Sequence, residues 1–482
     1  MNAATTIELH EEILQDLSRI ADKSGTELYV VGGYVRDAIL GRPRKDIDCT
    51  VVGDVIEFSK LVAEYFNSHP VVYERFRTVM VPVRDYNLEF VGTRKEEYKS
   101  DSRKPIVTEG TLFDDLERRD FTVNALAVKL TCQREGEIID EFNGIEDLQS
   151  KILRTPKDPF VTFSDDPLRM MRAARFASQL QFSIDDNALT AMQQMADRIT
   201  IISQERITDE FLKILNSPKP SVGINILHTT GLLKYVFPDV ERLAGVDLAT
   251  VGNKRYSHKD VYHHTLKVVD NVCSTSTNVW LRLATLLHDI AKPKTKKFIE
   301  GIGWTFHGHE ELGARWVAKM FRTMKLPLEH VPYVETLVRL HQRPMQLVDE
   351  GVTDSAIRRL AVAAGETLDD LFLLCKADIT TQNEERAKKY LKNYEQVYMR
   401  IKDVIERDNL AKFQSPVRGE EIMEICSIPP SKMVGIIKQL LEEAILDGVI
   451  PNEYEAVRAY FLDNLNEIQD KAKEIHDSIQ KK

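Results

Sequence analysis

The sequence predicts an α+β chain in which a small mixed β-sheet comes first and helices alone follow. Up to about residue 155, short β-branched runs alternate with helical periodicities. Beyond that point strand signals fade, and apolar residues recur at helical spacing through most of the remainder. The length, 482 residues, exceeds what one core supports at roughly 150 residues per domain. Strands and helices followed by helices alone are the pattern of an α+β domain joined to separate helical domains. The expected units are a head (1–155), a helical neck (156–225), a helical domain (226–380) and a helical tail (381–482).

Each element has a local reason. Ile7, Ile13, Leu14, Leu17 and Ile20 stand at helical spacing, and Gly25 can stop that helix. Residues 28–31 are a short strand ending at Gly32-Gly33, followed by a short helix over 34–40 closed by Gly41. Apolar runs at 47–52, 78–83 and 88–91 read as strands, with a helix over 55–66 between the first two. Asp120 can cap a helix over 121–128. Further helices are expected over 167–180, 187–196 and 207–215, with softer breaks at Pro218 and Pro220, at 245–257 and at 414–419.

Composition narrows the class. Apolar residues make up 43% and charged residues 29%, which suits a packed chain rather than a disordered one. The longest run without charge, residues 220–233, is 14 residues, short of the about 20 apolar residues of a membrane span. The N-terminal residues show no export signal, so the cytoplasm is expected and no membrane partner. Five scattered cysteines without a CxxC pair suit a reducing compartment and argue against a zinc ribbon. A net charge of -10 argues against indiscriminate nucleic-acid binding while leaving room for a local basic groove.

The front third carries reactive chemistry. A Gly-Gly turn between strand and helix lets backbone N–H groups approach an anion, and Arg36, three residues beyond Gly33, can hold a phosphate oxygen. Alone, such a pair is more often a tight corner. Asp46 and Asp48 alternate along a strand, so they share one face about 7 Å apart. Aspartates are poor strand formers and repel at that spacing, so the pair calls for cations or solvent. Glu89, between Leu88 and Phe90, is a candidate third acid. Arg119 flanks the site. Carboxylates sharing two metals, with arginines on phosphate oxygens, suit nucleotidyl transfer from a nucleoside triphosphate.

Residues 165–176, DDPLRMMRAARF, begin a helix with Pro167 in its first turn. Arg169, Arg172 and Arg175 recur every third residue and form a cationic stripe. Cytosine and adenine each pair an exocyclic amino donor with a ring-nitrogen acceptor, whereas uracil and guanine present the reverse. A carboxylate such as Asp166 can accept from the amino group while a guanidinium such as Arg169 donates to the ring nitrogen. Side chains of this kind choose C or A with no template, and a mismatched base leaves donor facing donor.

VGGYVRD, KDID, RRDFTVNALA, Asp140-Glu141-Phe142-Asn143-Gly144 with Asp147-Leu148, and DDPLRMMRAARF together resemble the successive motifs of class II tRNA nucleotidyltransferases, the CCA-adding enzymes. The resemblance is specific over residues 28 to about 215, including Glu205-Arg206-Ile207, and looser beyond. It implies that Gly33, Arg36, Arg119, Asp166, Arg169, Arg172 and Arg175 bind CTP or ATP, that Asp46 and Asp48 hold Mg2+, and that tRNA is the partner. Where the family usually has Glu-Asp, this chain has Asp165-Asp166, with the reading acid kept.

In the helical remainder, His264, His288-Asp289 and Asp378 resemble the ligand series of an HD phosphohydrolase domain. Imidazole with carboxylate favours a borderline divalent ion, and His307, His309 and His341 are candidates for a second metal or for orienting a phosphate. The resemblance implies activity toward 2′,3′-cyclic phosphates at RNA ends. Residues 413–421 and 430–438 resemble the tRNA-steadying tail of bacterial members, with Ser431 as a helix cap. Three alternatives stand beside complete CCA addition: a poly(A) polymerase, a partial A-adding or CC-adding enzyme, and an HD phosphohydrolase with an inactive head. The intact segment 95–108 favours complete addition, because CC-adding members lack much of it.

Overall fold

The computed structural model describes residues 6–480 apart from 44–45, 75–76, 100–101, 133–134, 246–247, 252–253, 258–259, 349–351 and 409–414. The chain divides into two compact units, Met1–Glu241 and Arg242–Lys482. No helix among the described residues is long and apolar enough to cross a membrane.

The first unit opens with β1 (Thr6–Glu8), α1 (Glu12–Ser24), β2 (Glu27–Val31), α2 (Gly33–Ile39), β3 (Asp46–Val52) and α3 (Val55–Tyr65). Next come β4 (Val71–Tyr73), β5 (Thr78–Val83), β6 (Tyr86–Gly92), β7 (Arg94–Lys99), β8 (Ser102–Glu109) and α4 (Leu112–Glu117). A 3-10 turn at Thr122–Asn124 leads to β9 (Ala127–Lys129), β10 (Glu135–Ile139), α5 (Gly144–Ser150) and β11 (Ile152–Leu153). The neck holds α6 (Pro159–Asp165), α7 (Leu168–Leu180), β12 (Ser183–Ile184), α8 (Asp186–Gln194), α9 (Gln204–Leu215) and α10 (Pro220–Thr229). Eight strands form one sheet in the order β1-β10-β9-β2-β3-β6-β5-β4. Of its pairings only β3 with β6 is parallel, and the crossover through α3 between them makes that possible. The separate hairpin of β7 and β8 occupies most of the segment expected between sheet and RRDFT.

Patterning explains the placement. Ile47, Cys49 and Val51 of β3 are fully buried, which turns Asp46 and Asp48 to the opposite face. The expected helix over 121–128 does not form. Ala127 and Val128 instead enter the sheet between β10 and β2, opposite Val31 and Val30. Strand pairing in a buried sheet overrides the helical tendency of a short alanine-containing run. Gly144 opens α5 so close to Thr122 that an added Cβ would stand 2.3 Å from its carbonyl oxygen.

The second unit begins after two short helices, α11 (Leu233–Val236) and α12 (Pro238–Glu241). A hairpin, β13 (Leu248–Val251) with β14 (Lys254–Ser257), precedes α13 (Val261–Cys273), α14 (Val279–Leu287) and α15 (Lys292–Thr295). A second hairpin, β15 (Lys297–Ile299) with β16 (Gly303–Thr305), leads to α16 (His309–Thr323), α17 (Val331–Leu340), α18 (Arg343–Gln346), α19 (Asp354–Ala364) and α20 (Leu368–Ala377). These hairpins, and the two-stranded pairing of β11 with β12, are short interruptions in a chain that is otherwise helical beyond residue 155, as expected. After α21 (Glu384–Arg407) come α22 (Gly419–Cys426), α23 (Lys432–Leu446), α24 (Tyr454–Asp463) and α25 (Leu465–Gln480), with Ile437, Leu441, Val457 and Phe461 in the core of these last four. Ser431 stands at the N-cap of α23 but makes no side-chain cap bond. Residues 413 and 414 of the expected tail segment lie outside the described residues.

Candidate active site

Parallel pairing of β3 with β6 sets Asp46 opposite Asn87 and Asp48 opposite Glu89. Alternation along β3 and register across to β6 therefore bring the three expected acids to one face. Burial raises the pKa of Asp48; Arg119 opposes the shift and the Asp46 charge adds to it. Burial also raises that of Glu89, with Asp48 next. Acids desolvated together against mutual repulsion favour a cation among them, so the donor set fits a hard divalent ion such as magnesium.

Asp46 and Asp48 line a cavity of about 480 Å³ together with Gly33, Arg36, Arg119, Arg172 and Arg175 among others. Each guanidinium is anchored. Arg36 donates through Nη1 to Asn124 Oδ1 at 2.7 Å and grips Asp37 at 2.8 Å. Arg119 donates to the Asn124 carbonyl at 3.3 Å and to Asp115 at 3.1 Å. Arg172 donates through Nε to Asp120 at 2.7 Å, and Arg175 pairs with Glu210 at 2.8 Å. Burial would raise the Asp120 pKa, but Arg172 and the Asn124 amide hold it at about 2. Gly32 has a positive φ of 71°, a conformation that favours glycine, and a Cβ there would stand 2.6 Å from Arg119 Nη1 and push that guanidinium aside. With seven residues α2 is short, and four guanidiniums line the same cavity as its first residue, Gly33.

The expected base readers are placed differently. Neither Asp166 nor Arg169 lines that cavity. Asp166 Oδ1 accepts from the Leu168 N–H at 3.1 Å, and its Oδ2 pairs with Arg206 at 3.2 Å. Arg169 donates to the carbonyls of Thr162 at 3.3 Å and Arg118 at 2.5 Å. Arg169 is the first member of the arginine stripe and Asp166 precedes it by three residues, and both are already hydrogen-bonded. Arg206, Asp115, Asp120, Asn124 and Glu210 were not singled out as site residues in the sequence. The available signal was chemical: arginines gathered in a protein interior need acceptors, and Asp120 with Asn124 offers two on one short turn.

A second constellation lies in the HD segment. The ligand atoms of His264, His288 and Asp378 fall within 4.8 Å of one another, as do those of Asp289, His309 and His341. Asp289 joins the groups: its Oδ2 is 3.2 Å from His288 Nε2 and its Oδ1 is 3.2 Å from His309 Nε2. Nδ1 of His288, His309 and His341 faces the carbonyls of Thr285, Phe306 and Val338 at 2.7, 2.8 and 2.7 Å. That outer bond fixes the tautomer and aims Nε2 inward as a ligand. Burial would lower the pKa of His288, but Asp289 and Asp378 push it up to about 9, whereas burial and the His288 charge hold His341 at about 3. The carboxylates thus favour positive charge at their centre. Nε2 of His288 and Oδ1 of Asp289 are buried without an aligned hydrogen-bond partner, as donors to a metal would be. His307 is exposed and belongs to neither group, which corrects its inclusion among the candidate ligands.

Three family models match the chain: the poly(A) polymerase head domain over residues 28–154, the probable RNA and SrmB-binding site of polymerase A over 181–243, and the HD domain over 261–381. Solved structures share its fold. The Bacillus stearothermophilus CCA-adding enzyme in complex with CTP is 22% identical, with 95% of this chain and 98% of that chain covered at a TM-score of 0.66. The Thermotoga maritima CCA-adding enzyme complexed with tRNA is 18% identical, with 94% and 95% covered at 0.57. A tRNA nucleotidyltransferase with primer tRNA and an incoming ATP analogue is 21% identical, with 80% and 99% covered at 0.58.

Proposed function

We propose that this chain, built as a poly(A) polymerase-type head, an RNA-binding neck and an HD domain, is a template-independent tRNA nucleotidyltransferase. It adds C, C and A to the 3′ end of tRNA from CTP and ATP and releases pyrophosphate. The observation that carries this reading is that Asp46 and Asp48 line one cavity with Arg36, Arg119, Arg172 and Arg175, while Glu89 stands opposite Asp48 on the neighbouring strand. The shared fold with CCA-adding enzymes solved with CTP, ATP and tRNA supports the same substrates.

In this mechanism Asp46 and Asp48 would hold magnesium, which when bound would supply Lewis acidity toward the 3′-hydroxyl and the departing pyrophosphate. Glu89 adds negative charge beside Asp48 and keeps the cation seated. Arg36, Arg119, Arg172 and Arg175 bind triphosphate oxygens that the metal leaves uncovered. Asp166 and Arg169 read the base, and for Asp166 this requires exchange of its Arg206 partner for the amino group of C or A. The HD segment adds a second activity, phosphohydrolysis at a divalent centre held by His264, His288, Asp289 and Asp378, with His309 and His341 completing a second position. The units 1–155, 156–225, 226–380 and 381–482 serve as catalytic head, base-reading neck, HD domain and tRNA-contacting tail.

The test is to incubate a tRNA lacking its terminal CCA with the protein, magnesium, CTP and ATP, and to sequence the products. Ordered addition of C, C and A is expected. A long adenosine tail would favour a poly(A) polymerase, and one nucleotide type alone a partial enzyme. Asp46→Ala should reduce addition by ~10³-fold, since metal stabilisation is worth several kcal/mol, while tRNA binding persists.

A further inference from the structure

One residue of the head cavity offers a nucleotide no charge, yet it touches most of the charges that do. Phe176, on α7, is 6% exposed and lines the cavity. The guanidinium carbons of Arg36, Arg172 and Arg175 stand 5.2, 5.4 and 4.2 Å from its ring centroid. Phe121, which precedes the 3-10 turn at Thr122–Asn124, meets the ring edge-on at 5.9 Å and 84°, so the ring is itself held. Two of these arginines come from α7 and one from α2, which the ring therefore links.

Three like charges around one ring repel, and burial makes each more costly. Arg175 shows both effects: its pKa is lowered by burial first and by Arg172 next. Its Nε proton has no aligned acceptor among the described residues, although a Glu210 oxygen stands 2.8 Å away. Asp37, Asp120 and Glu210 give each cation one carboxylate partner. More carboxylates in the cavity wall would repel a triphosphate. An aromatic ring attracts cations through its quadrupole without carrying net negative charge, so it can gather guanidiniums and leave the anion unopposed.

We propose that Phe176 is a positioning residue for nucleotidyl transfer, its ring collecting Arg36, Arg172 and Arg175 into one triphosphate cradle. This rests on the reading of the head as a nucleotide site. The role should be independent of the base, because Phe176 and the three arginines line the cavity and Asp166 does not.

The experiment compares full-length wild type with Phe176→Leu, Phe176→Met and Phe176→Tyr by calorimetric titration with CTP, ATP and inorganic tripolyphosphate in magnesium. Leu and Met keep an apolar filling and remove the π face; Tyr keeps it. With two or three cation–π contacts weakened, affinity for all three ligands should fall by about tenfold in the Leu and Met variants. The Michaelis constants for CTP and ATP should rise by the same factor with discrimination against UTP retained, and Tyr should stay within about twofold of wild type. A residue that merely fills the core would leave tripolyphosphate affinity unchanged in the folded Leu or Met protein, and that result overturns the proposal. So does a loss confined to one base. Failure of wild type to bind CTP would instead remove the nucleotide reading beneath it.

Discussion

Asp120 and Arg172 show how a single buried pair sets both stability and site geometry. Asp120 is 6% exposed and fully engaged, accepting from Asn124, from its own following N–H and from Arg172. Its carboxyl titrates at about 2 in the folded chain against 3.8 ordinarily. A depressed acid contributes stability that is complete above the unfolded value and lost as pH falls through the folded one, so the window runs from roughly pH 4 to pH 2. Asp120→Asn should therefore cost roughly 2 kcal/mol at pH 7 by that linkage. Chemical denaturation of the two proteins should show the difference shrinking from about pH 4 downward and approaching zero below about pH 2. A difference that stays constant with pH would exclude the ion pair as its cause. Among site residues, Asp46, Asp48, Arg36 and the arginine stripe were legible from residue type and spacing alone. Their partners were not, because Asp37, Asp115, Asp120 and Glu210 look in sequence like any other acid among the 75 of this chain.

Elements position these groups through close approaches. Strand β3 was legible from its buried alternation of Ile47, Cys49 and Val51, and Asp46 and Asp48 followed to its other face. Strand β9 was not, since its three residues acquire their conformation from β2 and β10 on either side. The turn before β9 carries Thr122 and Asn124, and α5 braces it from behind at Gly144. A Cβ at Gly144 would lie 2.3 Å from the Thr122 oxygen and 2.9 Å from its carbon, both backbone atoms that cannot swing away. Gly144→Ala should destabilise the protein by about 1–3 kcal/mol through overpacking and lower its thermal unfolding midpoint. Nucleotide affinity should fall with it, because Asn124 anchors Arg36 and Arg119. An unchanged midpoint would show that the contact relaxes freely.

At the scale of the whole molecule the two chemistries fall in separate compact units, the acid and arginine site before residue 242 and the histidine clusters after it. They should be separable. His288→Ala is expected to lower the divalent metal retained on purification, measured by atomic emission, while CTP incorporation into tRNA stays within about twofold. Asp46→Ala should do the reverse; loss of incorporation in both variants would mean that the sites depend on one another. Sequence alone determined the class of each region, the acids that share a face and the identity of the arginines and histidines, because these depend on local periodicity and residue chemistry. Tertiary structure decided that β3 and β6 run parallel and set Glu89 beside Asp48, that Asp289 joins two histidine groups, and that Asp166 and Arg169 are held by Arg206 and by backbone carbonyls. Those outcomes depend on contacts between residues far apart in the chain, where register and burial select one pairing from many with the same local pattern.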